Sequence, residues 1–564
     1  MLINSDHASL RKKGAGIVVV VIITIMLWIP VLVSLHKLGI VAVFNFFQQD
    51  TFYYLAIAQN STLGFFTYDG ELPTNGFHPM WQVCVTLLFK LLGNVGNDAQ
   101  IYAVFLLSVL LVTLGYSFFG LAIYNYTGSK LLGILIIPGF FHVSFSFVER
   151  FGGSVWKYMN GMESCLSLFF GGLLLYVVSR HLNTSSNENA DTRWYTVIGV
   201  LVGLIIMARL DDVFLVVSLA CTVLLLEPGE LRKRFRKVVI LTLPTLILLT
   251  WYLAYNLSSV GVALPISGLE KGGFSLVQNI IELLRVLTPT VFIPGAVNVD
   301  LYLTDVYRQI LMWFPLIMSI LFLFIFFHEP VIRKIMSRGS LYIISLLGYV
   351  ILKGLYNLFN VHVNHQGLWY YALSVTTIDF MWLMLLSSVY YRIMKTHRHI
   401  KILAACLLIC FLTFYMALMM KGALWGKPFV YDFYKDRLKI KSTLLSIDPN
   451  IKLIEVDDGI FCYFLDIPTI HGMGFALDYP GYVARESGHF LAYCKQRGFD
   501  TIASLQYLRF PNYGLSSDRI ASILKHSYQF RLEDLDKYIF KVVYIHPESG
   551  ASFVRFRLKS TTSP

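Results

Sequence analysis

GIVVVVIITIMLWIPVLVSL, residues Gly16 to Leu35, runs for twenty positions without a charge. About twenty consecutive apolar residues are what a helix needs to cross the hydrocarbon core of a bilayer, so this run decides what kind of protein the rest can be. Arg11, Lys12 and Lys13 precede it and no small-residue cleavage site follows. It reads as a retained first span with a cytoplasmic N-terminus, not as a signal peptide. The remainder agrees. Of the 564 residues 56% are hydrophobic and only 14% charged, a balance that soluble domains do not show.

Further apolar runs begin near Ile101, Leu131, Glu163, Trp194, Val213, Val238, Val306, Leu341, Leu368 and Ile402, which with the first predicts about eleven membrane-spanning helices. The net charge of +12 does not point to nucleic acid, because the basic residues collect in short links between these runs. LRKRFRK (Leu231 to Lys237), EPVIRKIMSR (Glu329 to Arg338) and YRIMKTHRHIK (Tyr391 to Lys401) fall on the side of Arg11 to Lys13, as orientation signals of a cytoplasmic face do. NTSSNENADTR (Asn183 to Arg193) is a flexible link on that side. Opposite lie Lys37 to Asn97, Glu149 to Gly161, the Arg209 to Asp212 turn, Leu257 to Asp305 and Tyr356 to Gln366, with most of the loop carboxylates. The alternation holds if FHPMWQVCVTLLFKLLG (Phe77 to Gly93) lies along the interface, a position its marginal length, Trp81 and Lys90 suit. The expected class is an all-α polytopic protein of the inner (plasma) membrane.

After Met420 the composition changes. Two domains are expected: a membrane domain over 1–420, whose first outer loop is 36–98, and an extracytoplasmic α/β domain over 421–564. In the latter IKLIEV, FCYFL and YIFKVVYIH are strand-like, whereas YVARESGHFLAYCKQRG and DRIASILKHSYQF are helix-like. Seven cysteines show no metal-ligand spacing. Cys462 and Cys494 share the C-terminal region, where a disulfide or two buried thiols would serve equally.

Asp50 stands in NFFQQDTFYYLAIAQN (Asn45 to Asn60), where the chain leaves the first apolar stretch. One role for it is structural, because an Asp before Thr51 can cap a surface helix running to about Asn60. The other is chemical, since the following GFFTYDGELPTNGFHPMW is a Gly-, Pro- and Asn-punctuated loop of the kind that builds sites. QQDTFYYLAIAQN followed by YDGELPTNGFHPMW resembles the first outer loop of the GT-C superfamily, multi-span glycosyltransferases that use a polyprenyl-phosphate sugar, and in particular a bacterial branch with an NGFHP loop. The likeness extends more weakly through NGMESCLSLF, MARLDDVFL, ALPISGLEKGG and DDGIFCYFLDIPTIHGMGF.

The resemblance implies a GT-C-like fold and an outer active site where Asp50 is the catalytic base. Where the superfamily often carries two acids, this chain has Gln48, Gln49 and then Asp50, so a metal site built on an acidic pair is not implied. One base is enough, because the donor brings its own leaving group and the acceptor hydroxyl only needs orienting and deprotonating. No metal ligands are assigned and no cofactor is obligatory, although a divalent metal is compatible with the chemistry.

Glu163 in YMNGMESCL is the second acid the superfamily would place near the pocket, while Asn160 to Glu163 also has the form of a capping box. Arg209 and Asp211, with Asp212, serve either an interfacial ion pair or substrate. Lys271 in SGLEKGG is either a helix-end lysine before Gly or a contact for the donor phosphate, with Arg285 its rival. His78 precedes Pro79 and is either a loop histidine or a substrate contact. His362 and His365 have a weak metal spacing without a nearby acid. Trp369, Tyr370 and Tyr371 form an interfacial belt, with sugar stacking by Tyr370 as a second role.

The expected function is transfer of a hexose or pentose from a polyprenyl phosphate to a glycan, lipid or protein acceptor on the extracytoplasmic face. The absence of a glycine-rich phosphate loop or Rossmann fingerprint in the sequence fits a reaction without a nucleotide sugar. Two alternatives stand beside it: a polysaccharide polymerase or ligase using lipid-linked oligosaccharide, and a lipid or solute transporter. The latter is disfavoured because the spans read as nearly free of charge.

Overall fold

The computed structural model describes residues 3–62, 64–93, 95–135, 158–181, 188–270, 279, 330–360, 368–381, 383–384, 406, 430–456, 459–472, 474, 476–505, 516–527, 530 and 535–559. The chain forms two compact units. One, here the helical unit, comprises Met1–Phe46, Phe105–Leu249 and Gly273–Trp425; the other, the mixed unit, comprises Phe47–Val104, Thr250–Gly272 and Gly426–Pro564.

Among the described residues five helices are long and apolar enough to cross a membrane: Gly14–Leu38, Asn97–Thr127, Ser164–His181, Leu231–Ser259 and Leu341–Phe359. The runs expected near Val306 and Ile402 begin outside the described residues. The Pro79–Leu92 helix has 14 residues, about 21 Å at 1.5 Å per residue and less than the hydrocarbon thickness. Two basic links are themselves helical, since the helices Leu231–Ser259 and Pro330–Asn360 start within them.

In the helical unit small residues let backbones approach. A Cβ at Gly115 would lie 2.9 Å from the Leu168 carbonyl, so the Asn97–Thr127 and Ser164–His181 helices meet where a larger residue could not fit. Ser218, on the Phe214–Leu226 helix, donates to the Ser345 carbonyl at 2.6 Å, which satisfies a buried hydroxyl while joining that helix to Pro330–Asn360.

The mixed unit centres on a five-stranded sheet of order β2-β1-β3-β5-β4. β1 (Leu453–Glu455) pairs in parallel with β2 (Thr469–His471) and β3 (Thr501–Ser504), while β5 (Ser552–Leu558) runs antiparallel to β3 and to β4 (Tyr538–Ile545). Ile454, Ile470, Phe490, Ile502, Phe540 and Val554 belong to one apolar core. IKLIEV and YIFKVVYIH contain strands as expected, and the helix-like stretches overlap helices Tyr479–Glu486, Phe490–Gln496 and Ser517–Ser527.

FCYFL is not a strand. Ile460–Leu465 is a helix whose six residues are all buried, and an apolar run with no polar face shows neither period in its sequence. Its helical start is imposed from outside: Glu455 accepts from the amides of Phe461 (2.8 Å) and Cys462 (3.0 Å). Cys462 and Cys494 are both buried free thiols.

Candidate active site

In the helical unit the 3-10 turn Leu210–Val213 follows the Glu188–Ala208 helix, so the Arg209 to Asp212 turn read from the sequence is a tight turn between helices. Arg209 is 1% exposed and Glu163 likewise. They are joined at 2.6 Å between Nη1 and Oε1. The Arg209 Nε lies 2.8 Å from Asp211 Oδ1, and the guanidinium sits 4.4 Å over the centre of the Tyr370 ring. Thus Glu163, Arg209, Asp211 and Tyr370, picked separately from the sequence, are brought into one cluster.

Three side chains the reading missed complete it. Lys353 pairs with Asp212 and lies 3.4 Å from Asp211; Tyr349 donates to Asp212 at 2.6 Å and Ser167 at 2.7 Å. The outcome is a file of alternating charge, Asp212, Lys353, Asp211, Arg209 and Glu163, in which only Asp211, with 16% of its side chain exposed, meets solvent appreciably. Alternation is what makes burial of five charges tolerable, since each has an opposite neighbour within hydrogen-bonding or ion-pair reach. Lys353 falls inside the span Leu341–Phe359, so the spans are less free of charge than their composition suggested.

The capping box read at Asn160 to Glu163 does not mark the start of the helix. The helix begins at Ser164; the Glu163 carbonyl accepts from the amides of Leu166 and Ser167, while its carboxylate is spent on Arg209. Asn160 instead accepts from the Met162 amide at 3.0 Å and the Ser164 hydroxyl at 3.1 Å. A helix that starts three residues later than the motif implies leaves the acid at the helix mouth, where it reaches across to Arg209.

Asp50 and His78 lie in the mixed unit. The Thr51–Asn60 helix starts where expected, but the Asp50 side chain makes no capping bond and its backbone is already helical, at φ −52° and ψ −20°. The first amides are served by the chain itself: Thr51 donates to the Gln48 carbonyl at 3.1 Å and Phe52 to that of Gln49 at 2.9 Å. His78 precedes the Pro79–Leu92 helix without a side-chain cap, and its amide donates to the Tyr54 hydroxyl at 3.4 Å. Lys271, Arg285, His362 and His365 lie outside the described residues.

Around the Asp50 helix the mixed unit is densely bonded. Tyr68 donates to Glu455 at 2.9 Å, and Arg497 binds Asp69 at 2.7 Å, Glu71 at 2.8 Å and Asp478 at 3.1 Å. The Arg497 hydrogen bond holds the Glu71 carboxyl below its ordinary range, while burial pushes that of Asp478 up. His471, edge-on to the Tyr53 and Tyr68 rings, is pushed down to about 3 by burial and then by Arg485, and so is neutral at physiological pH. Among the described residues no group of three or more His, Cys, Asp or Glu side chains is arranged to hold a metal ion.

No protein-family model and no curated protein matches the chain. Among solved structures the fold is similar to an oligosaccharyltransferase of Archaeoglobus fulgidus. The structure of that enzyme tethered to an acceptor peptide containing the NVT sequon matches with a TM-score of 0.51 and 11% identity, over 97% of this chain and 74% of the other. That of the archaeal enzyme AglB with an inhibitory peptide and a dolichol-phosphate matches with a TM-score of 0.50 and 11% identity, over 98% and 75%. At this identity the likeness is one of fold.

Proposed function

We propose, on a fold that resembles a membrane oligosaccharyltransferase, that this protein is a GT-C-like glycosyltransferase that moves a sugar from a polyprenyl-phosphate carrier to an acceptor hydroxyl on the extracytoplasmic face. The observation that carries this reading is at Asp50. An acid beside the first span would be explained by helix capping, and its side chain does no capping. Asp50 is a half-buried carboxylate at the start of an ordered helix, in the segment whose sequence resembles the first outer loop of the superfamily.

In the reaction the acceptor O–H attacks the anomeric carbon of the donor sugar. The bond from that carbon to the phosphate oxygen breaks, its electron pair leaves with the polyprenyl phosphate, and the proton passes to the Asp50 carboxylate. In this reading, within the mixed unit, Lys271 neutralises the departing phosphate and His78 contacts substrate; the helical unit's own cluster of Glu163, Arg209, Asp211 and Tyr370 is a separate candidate for substrate contact. A second reading, a polysaccharide polymerase or ligase acting on lipid-linked oligosaccharide, would use the same base.

The test is Asp50→Asn. Asn has nearly the shape of Asp but cannot take a proton, so the variant should insert and accumulate normally and lose sugar transfer by about a hundredfold or more, the scale of a lost general base. Transfer is read as the glycan, lipid or protein that lacks one sugar in a deletion strain complemented with each variant, by mass spectrometry. Wild-type levels from a well-expressed Asn variant would remove Asp50 from the chemistry.

A further inference from the structure

Glu455, on β1, is fully buried, and its carboxylate accepts three hydrogen bonds. Two come from the Phe461 and Cys462 amides at the start of the Ile460–Leu465 helix, and the third from the Tyr68 hydroxyl. A buried carboxylate bonded by two backbone amides and a hydroxyl is fixed in place, because in a buried site each lost bond is costly. Glu455 therefore ties the sheet, the short helix and the loop that follows the Asp50 helix to one point.

The short helix in turn sets the start of the Asp50 helix. Gly459, immediately before it, has φ 91°, and a Cβ there would lie 2.6 Å from the Phe52 carbonyl carbon and against the Tyr53 backbone. Backbone thus meets backbone two and three residues beyond Asp50, where only glycine fits. The ring of Phe52 packs against Phe464 at 5.4 Å and Tyr463 at 6.3 Å, and Tyr463 is pinned by donating to Gln100 and to the Asn97 carbonyl, both at 3.1 Å. The first turn of the Asp50 helix is located by this wall.

We infer that Glu455 and Gly459 are positioning residues for Asp50: the C-terminal part of the chain holds the proton-accepting carboxylate at its working place, through the backbone contact of Gly459 with Phe52 and Tyr53. This rests on the reading of Asp50 as the base. A base displaced by even about an ångström loses rate rather than substrate affinity, so the effect belongs in kcat.

The experiment is a double-mutant cycle on the purified full-length protein, with a panel of synthetic polyprenyl-phosphate hexoses and pentoses as donor, membrane extract as acceptor source and released polyprenyl phosphate as readout. Glu455→Gln and Gly459→Ala are each made alone and with Asp50→Asn, and the Tm of every variant is recorded. Where Gly459→Ala fails to accumulate, Glu455→Gln, nearly the same shape as the native residue, carries the test. Expected is a fall in kcat of about tenfold or more with donor KM within about twofold. In the Asp50→Asn background the same substitution should cost no further rate, because it acts through the group already removed. A folded Glu455→Gln with wild-type kcat, or a loss that multiplies with that of Asp50→Asn, overturns the inference while leaving Asp50 as the base. Full activity of Asp50→Asn itself overturns both.

Discussion

Lys353 and Arg209 put two cations among three carboxylates, Glu163, Asp211 and Asp212, in surroundings nearly closed to water. Pairs of this kind are held together more by the cost of breaking them than by the gain of making them, since removing one partner strands a charge and costs about 3–5 kcal/mol. Lys353→Met leaves three carboxylates against one cation and is expected to lose stability on that scale. Adding Asp212→Asn restores the original excess of one negative charge, and most of the loss should return in the double variant. Thermal unfolding of the four proteins of the cycle in detergent measures the coupling. Additive losses would mean that the ion pair between Lys353 and Asp212 contributes nothing. The same residues show where sequence reading stops. Arg209, Asp211 and Asp212 announce themselves because they interrupt two apolar runs within four positions, whereas Lys353 stands alone in YVILKGLYN, and the partner that explains it is 141 residues away.

Gly115 and Gly354 both lie inside helices, under opposite constraints. At Gly115 a methyl group would press on the Leu168 backbone at 2.9 Å, one turn into the helix that begins just after Glu163; at Gly354 it would meet nothing within 4 Å. Alanine gains about 1 kcal/mol of helix propensity at either place, but forcing two backbones apart costs about 1–3 kcal/mol. Gly115→Ala should therefore lower Tm and Gly354→Ala should not, and equal shifts in a side-by-side melt would show that the close approach is not tight. Elements with a clear period were legible: the Thr51–Asn60 helix, the Pro79–Leu92 helix and β4 all fall within the stretches assigned to them. The Ile460–Leu465 helix was not, because its six residues are uniformly buried and the carboxylate that starts it belongs to a strand five residues earlier. Local pattern cannot display a cause that lies in tertiary contact.

For the whole molecule, the sidedness of Asp50, Glu163 and the sheet depends on one chain of reasoning about charge. Three basic residues precede the first long apolar run, and three further basic links, Leu231 to Lys237, Glu329 to Arg338 and Tyr391 to Lys401, recur at intervals that an alternating path puts on the same face. Lys and Arg near span ends are retained on the cytoplasmic side, so the proposed topology puts that face in the cytoplasm, and the expected eleven spans, an odd number, would put 421–564 on the other side. The 14-residue Pro79–Leu92 helix is the weak point, because treating it as a span would invert every link that follows it. Its length argues against spanning, being about 21 Å where the core needs about 30 Å. The prediction follows directly. A reporter that works only in the cytoplasm, fused after Pro564, should be silent, and one that works only outside should be active at the same expression level. The reverse pattern would turn the sheet inward and move Asp50 to the cytoplasmic face. A polyprenyl-phosphate sugar presented outside could not then reach it, and the proposed transfer would fail on topology before any question of chemistry arose.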